Sequence, residues 1–527
     1  MSKVDVVVVG SGAAGAAAAW SLCEQGFKVV CLEQGDWQDP SKYPTTSPDW
    51  EIKKLSSHNP VMAQRQNEHD YPVDDSKSPI AICNFNGVGG STILYSGHFP
   101  RFRPRDFKIR TKDKVADDWP ITYEDLQNFF DINEHQMSMA GLAGDPCYPD
   151  VKNALPPVPL GLAGEKLAAA FNRKKWHWWP SYSAISTRPV RGRNSCINLG
   201  PCNTGCPQGA KSSTDITYIP RAIQKGLKLI TNASVFEVLT EGTRAIGVRY
   251  KDKKNEIHVI KASVVVLAAS ALGTPRILLN SKKEKYSNGL ANSSDAVGRN
   301  LMLHPLGYVE GLFDTKLDVQ IGPQGCMLYS HEFYRSDEVD HKLGYTMHAL
   351  RGTGPLEAAA SAFNKRRLSF GSSIFDDFFN FYKKQLVISI ICEDTPKKNN
   401  RIEIDENNED KNGMPGLKVI YNLDENTKKM MLHGMSRAKE VLIEAGANKI
   451  FAHGPVRNTG WHIMGTARMG DDPKSSVVNK YGRTHDVECL YIVDSSCFVT
   501  SSCVNPANTI QALALYIADK ISYDLKL

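Results

Sequence analysis

The chain opens on a glycine pattern that leaves few folds available. Val4-Asp5-Val6-Val7-Val8-Val9 is a short β-branched run, the pattern of a strand buried on both faces. It runs directly into Gly10-Ser11-Gly12-Ala13-Ala14-Gly15 and then into an Ala-rich helix reaching about Cys23. Val29 to Leu32 reads as a second strand, with Glu33 at its end, 23 residues after Gly10. Gly10 permits the tight turn, Gly12 lets backbone amides approach a pyrophosphate, and Gly15 lets the helix pack closely. The helix start through Ala13 and Ala14 adds partial positive charge. Glu33 can accept hydrogen bonds from a ribose 2′-OH and would repel a 2′-phosphate. An α/β, Rossmann-like dinucleotide-binding domain is the expected fold class.

A second glycine cluster, Gly87, Gly89 and Gly90, follows about fifty residues after Glu33. A flavin needs such a second loop along its pyrophosphate and ribityl chain, so FAD is the expected dinucleotide. Residues 36–79 are rich in Pro, Ser, Asp and Lys and read as long surface excursions. Further expected elements are a helix from about Glu124 to Met139, a strand Val264–Ala268 and a helix near Thr274–Leu279. Alternating strand-like segments and charged loops between about Leu306 and Ala452 suggest a sheet-containing second domain. A strand Leu490–Val493 and a closing helix from about Pro506 to Ser522 complete the pattern.

At 527 residues, the chain is long enough for two braided domains. Its net charge of +6 is spread without any block of like charges, which argues against a nucleic-acid partner. The longest apolar stretch, near Ser263 to Leu272, falls far short of the ~18 residues a membrane span needs. Only Met1-Ser2-Lys3 precedes the first strand, so no signal peptide is expected and the cytoplasm is the expected location. Twelve cysteines are scattered apart from Cys196, Cys202 and Cys206. The remaining histidines show no metal-ligand spacing, and no metal site is expected.

Taken together, VVVVGSGAAGAAAAW, FNGVGGSTILYSGHFPR, DWPITYEDL, ANSSDAVGRNLMLHP, WHIMGTARMG and YIVDSSCFVTSSCVNPANTIQALALYIADKI resemble the glucose–methanol–choline (GMC) flavoprotein oxidoreductases, in that family's order and over nearly the whole chain. The resemblance implies an FAD-binding domain from residues 1–105, 195–310 and 455–527. It is interleaved with a substrate domain from 106–194 and 311–454, built on a mainly antiparallel sheet with helices. Residues from about 315 to 395 match no motif, and in this family that region shapes the substrate pocket.

The resemblance also implies roles. Gly89, Gly90 and Ser91 would line the pyrophosphate, and Tyr95 and Ser96 would lie near the reactive edge of the flavin. Leu94 stands where some members attach FAD through a histidine, so the FAD here would be non-covalent. Val235 matches the strand that meets the adenine, and Asp494 the position near the ribityl and phosphate groups. His462, in Trp461-His462-Ile463-Met464-Gly465-Thr466, is the candidate base, and Asn505 its partner, also close to the cofactor. A neutral imidazole with a pKa near 6.5 can take a hydroxyl proton while flavin N5 receives hydride. Asn508 and Thr509, in the first turn of the closing helix, would bring backbone amides toward flavin N1 and O2, where they would stabilise reduced flavin.

The expected function is FAD-dependent oxidation of CH–OH to C=O in a sugar, glycoside or polyol, with electrons passing to oxygen or a soluble acceptor. A homo-oligomer is compatible with the sequence. Two alternatives stand beside this reading. One is a GMC-fold lyase with structural FAD. The other is a sugar dehydrogenase subunit holding a three-iron cluster on Cys196, Cys202 and Cys206 and passing electrons to a cytochrome, against which a compact metal-free turn is preferred. Trp176, Trp178 and Trp179 are read as core packing rather than a sugar platform. Arg101, Arg103 and Arg105 are read as a solvated turn rather than an anion clamp.

Overall fold

The computed structural model describes residues 4–65, 67–152, 154–335, 339–352, 354–364 and 368–526. A seven-stranded sheet grows outward from the first strand, Val4–Val9. Parallel strands Val29–Leu32 and Ile257–Leu267 flank it, so Val6, Val7 and Val8 are shut off from solvent, as the unbroken apolar run requires. The order across the sheet is Lys228–Ile230, Val29–Leu32, Val4–Val9, Ile257–Leu267, Arg244–Lys251 and Ser234–Glu241, with Leu490–Ile492 also paired to Ile257–Leu267. The strand Ile257–Leu267 serves three partners along its length. Its first half pairs antiparallel with Arg244–Lys251, and its second half lies parallel to Val4–Val9 and Leu490–Ile492.

The turn after the first strand is shaped by the absence of side chains. Gly10 has φ +100°, and a Cβ on it would lie 2.5 Å from the Ala268 carbonyl oxygen. A Cβ on Gly15 would lie 1.9 Å from the Gly10 carbonyl oxygen. The helix Ala13–Glu24 is therefore seated on the strand ends at backbone distance, with Ala14, Ala16, Ala17, Ala18 and Ala19 buried. The closing helix, Ala507–Lys526, packs against this helix and against Tyr123–Gln136.

The second body is a six-stranded antiparallel sheet, which matches the expected mixed α/β class. Its order is Lys449–His453, Leu306–Leu312, Gln385–Cys392, Tyr345–Leu350, Leu328–Ser330 and Trp179–Pro180. The helix Glu425–Glu444 covers one of its faces through Met430, Met431, Ala438, Val441 and Leu442. The stretch 315–395, which matched no motif, supplies three of these strands.

The polar segment 36–79 is more than a surface excursion. Tyr71 and Val73 are buried, and Val73–Lys77 pairs in parallel with Pro415–Ile420 in a third, three-stranded sheet. A partner so distant in the chain leaves no trace in local composition. Gly15→Ala has no space for its methyl group and should cost about 1–3 kcal/mol. Thermal denaturation should show a lowered midpoint; an unchanged midpoint would contradict the packing described.

Candidate active site

One cleft runs from the first glycine turn to the inner face of the six-stranded sheet. Gly10, Gly12, Ala13, Ala14 and Glu33 line one end of it, together with Gly90 and Ser91 from the second glycine loop. Gly90 has φ +52°, and a Cβ there would meet the Cα of Gly12 at 2.8 Å. The two loops touch backbone to backbone and form a floor without side chains, next to the start of a helix. That cradle suits a pyrophosphate, because free N–H groups and the helix dipole face it. Glu33 is buried, and burial raises its pKa against the opposing N–H bonds from Gly35 and Ser11. Ser11 N–H and Oγ–H both donate to Glu33 Oε2, at 2.9 and 2.8 Å. Gly15 and Gly89 stand behind this wall, outside the cleft lining.

Val235 and Ala233 line the cleft beyond Glu33. Asp494 lines it from the end of the strand Leu490–Ile492. Burial raises the Asp494 pKa, while Thr274 Oγ1 donates to Oδ2 at 2.5 Å and Ser496 N–H to Oδ1 at 2.9 Å. Tyr95 and Ser96 line the middle of the cleft, with the Tyr95 hydroxyl donating to the Ser212 carbonyl. Leu94 also reaches the cleft and offers only hydrocarbon to it. These residues fit a dinucleotide flavin along their whole run.

Asn508 and Thr509 lie outside the lining, and their side chains are engaged elsewhere. Asn508 Nδ2 donates to Glu134 Oε1 at 2.9 Å and to the Phe99 carbonyl at 3.2 Å, while Thr509 Oγ1 accepts from Phe102 N–H at 3.1 Å. Glu134 is in turn gripped by Arg101, whose Nε and Nη2 each donate at 2.6 Å. Arg101 is thus no solvated turn residue but the centre of a buried ion pair. Its acidic partners, Glu134 and Asp131, sit on a helix some thirty residues on. Arg103 lies over the Tyr334 ring at 4.2 Å, and only Arg105 keeps a largely open ion pair, with Asp113.

The structure brings His462 and Asn505 together: Asn505 Nδ2 and His462 Nε2 are 3.1 Å apart in the cleft. Behind them stands His304, fully buried, with Nδ1 2.8 Å from His462 Nδ1. His304 Nε2 faces two acceptors, the carbonyls of Ser501 at 3.1 Å and Ser502 at 3.0 Å, and therefore carries a proton. Burial pulls the His304 pKa down to about 4, so its Nδ1 is left as a lone pair. The contact between the two Nδ1 atoms then requires the proton to lie on His462 Nδ1. This leaves His462 Nε2 unprotonated in the cleft, accepting from Asn505 Nδ2. Burial, followed by His304 and His348, holds the His462 pKa well below its usual value. The arrangement can receive one proton at a defined atom and hold an oxygen beside it.

The motif that carries His304 was visible in the sequence, but no local signal marks its function. His98, His348 and Ser389 also line the cleft and were missed, because strand pairing rather than spacing brings the last two there. The tryptophans pack as expected. Trp176 meets the edge of Phe333 at 5.0 Å between centroids, Trp178 and Trp179 donate to Asn172 Oδ1 and the Leu142 carbonyl, and none lines the cleft. Cys196, Cys202 and Cys206 share one loop. Among the described residues, their sulfurs do not all lie within 4.8 Å of one another. No described helix is long and apolar enough to cross a membrane.

Comparison with known proteins agrees with this geometry. The N-terminal GMC oxidoreductase model matches residues 4–306 and the C-terminal one residues 396–514. The 2-methyl-1,2-propanediol dehydrogenase of Mycolicibacterium austroafricanum is 37% identical, covering 99% of this chain and 95% of that protein. The fructose dehydrogenase large subunit of Gluconobacter japonicus is 26% identical, covering 99% and 98%. The crystal structure of pyridoxine 4-oxidase from Mesorbium loti shares the fold, with a TM-score of 0.66 at 16% identity over 98% of this chain and 99% of that one. The chain belongs to the GMC oxidoreductase family. It is an enzyme of that type, and the family's enzymes bind FAD.

The hydrogen-bond directions make a measurable statement about His462. In protein labelled with ¹⁵N-histidine, its ring should show the neutral Nδ1–H form at pH 7 and keep it as the pH falls through 6.5. A ring protonated on Nε2 would contradict the arrangement.

Proposed function

We propose that this chain oxidises an alcohol group of a sugar, glycoside or polyol, with His462 as the base and non-covalent FAD as the hydride acceptor. The observation that carries this reading is the His462–Asn505 pair, 3.1 Å apart, in a cleft continuous with the dinucleotide cradle. A hydroxyl that displaces this contact from the cleft side donates its proton to His462 Nε2 and accepts from Asn505 Nδ2. Its oxygen is then held while its carbon faces the middle of the cleft. When bound, FAD supplies an acceptor for the hydride leaving that carbon. His304 keeps the His462 ring in the form that can accept, and Asn505 orients the oxygen without competing for the proton. The names of two relatives, a propanediol dehydrogenase and a fructose dehydrogenase, support a polyol or sugar substrate. We also read the seven-stranded sheet as the core of the cofactor domain and the six-stranded sheet as that of the substrate domain. Oxygen or a soluble carrier would take the electrons onward.

His462→Ala should retain about one FAD per chain and slow anaerobic bleaching of the flavin by an alcohol about 10²- to 10⁴-fold. Bleaching at the wild-type rate would rule out His462 as the base. With leucine at position 94, acid precipitation should leave a colourless pellet and a yellow supernatant. Flavin that stays in the pellet would contradict non-covalent binding.

A further inference from the structure

The six-stranded sheet presents an ordered polar row to the cleft. Tyr308 pairs with Ser389, and Ser389 with His348, across three neighbouring strands. Residues directly opposed in an antiparallel ladder project from the same face. Two hydroxyls and an imidazole therefore stand side by side, and all three line the cleft that holds His462 and Asn505. Hydrocarbon from Leu306, Leu350 and Ile391 flanks them.

His98 stacks on His348 with centroids 4.1 Å apart and planes 25° from parallel. The two rings are 2% and 3% exposed. Nevertheless, both nitrogens of His98 and Nε2 of His348 have no hydrogen-bond partner, nor does Asn505 Oδ1 in the same cleft. A buried polar atom left unpaired costs about 1–3 kcal/mol, so several around one cleft mark the place of a polar ligand. Burial lowers the pKa of both rings, that of His348 to about 4. They are neutral imidazoles near pH 7, suited to an uncharged hydroxyl and without the charge that would select a carboxylate. Both rings line the same cleft as His462, which places them in the space that holds the reacting group.

We infer that His98 and His348 form a second hydroxyl-binding subsite, so that the enzyme selects alcohols carrying another hydroxyl close to the carbon oxidised, vicinal diols among them. This rests on the oxidation proposed above and adds what the substrate must carry besides the reacting group. A site built to hydrogen-bond a hydroxyl discriminates against the analogue lacking it, because the site's own groups are then left unpaired.

The test uses holoenzyme and two alcohols with one carbon skeleton, 2-methyl-1,2-propanediol and 2-methylpropan-1-ol. Two quantities are read: the second-order rate of anaerobic flavin bleaching, and the dissociation constant of the diol from its perturbation of the flavin spectrum in a His462→Ala background. Wild type should favour the diol at least 10-fold. His348→Leu and His98→Leu should each shrink that ratio about 10-fold or more, mainly through the diol, and weaken diol binding in the His462→Ala background by a similar factor. His348→Gln, which keeps a donor and an acceptor, should recover part of the preference. Each variant is compared at one FAD per chain and with its thermal midpoint known, so that misfolding is not mistaken for lost selectivity. Where the alcohols bleach the flavin, the subsite is overturned if wild type does not prefer the diol, if the ratio survives both leucine variants, or if the two alcohols lose rate equally. If neither alcohol bleaches the flavin but the diol binds with a constant that depends on His348, the oxidation reading fails and the subsite stands. A diol that neither bleaches nor perturbs the flavin overturns the subsite.

Discussion

The position of the active site follows from one steric constraint, the contact of bare backbone at the first turn. Gly15 meets the Gly10 carbonyl and Gly10 meets the Ala268 carbonyl at distances that exclude any side chain. The first helix is thereby set close against the sheet, and the closing helix packs on that first helix. Asn505 lies just ahead of the closing helix, so its distance from His462 depends on the same stack of contacts. Arg101, Glu134 and Asn508 then tie the first turn of the closing helix to the helix Tyr123–Gln136. Removing one partner of such a buried ion pair costs about 3–5 kcal/mol, because the other charge stays behind unpaired.

What was legible in the sequence was local. The first strand, its glycine turn, the first helix and Glu33 lie within thirty-odd residues, and each has a short-range physical signature. His462 and Asn505 stand out in the sequence because they sit inside long motifs, and the structure brings them together. The polar row on the second sheet was not legible, since Tyr308, Ser389 and His348 meet only through strand register. Arg101 was misread for a related reason: a guanidinium's surroundings depend on its acidic partners, and these lie on another element. The segment 36–79 reads as surface because its composition is polar, yet Val73–Lys77 completes a sheet with residues far along the chain. Pairing between distant segments is the information that composition and periodicity lack.

The cleft is unusual in its accumulation of neutral imidazole. His98, His304, His348 and His462 surround or back onto one space, and burial lowers the pKa of each. A protonated ring among them would carry its charge in a poorly solvated wall with other rings close by. The group is therefore uncharged at rest near pH 7, and a proton taken up by His462 is one that the wall readily gives back.

The carbonyls of Ser501 and Ser502 that cap His304 have a directional consequence. A carbonyl oxygen has no proton to pass on, so the hydrogen-bonded chain from His462 through His304 ends inside the protein. A proton arriving at His462 can be shared between two rings but finds no exit at the rear. It must leave through the same opening by which an alcohol enters. In the oxidation proposed above, restoring His462 is thus tied to whatever next occupies or vacates that opening, which makes the cleft a single-ended port for protons as well as for substrate.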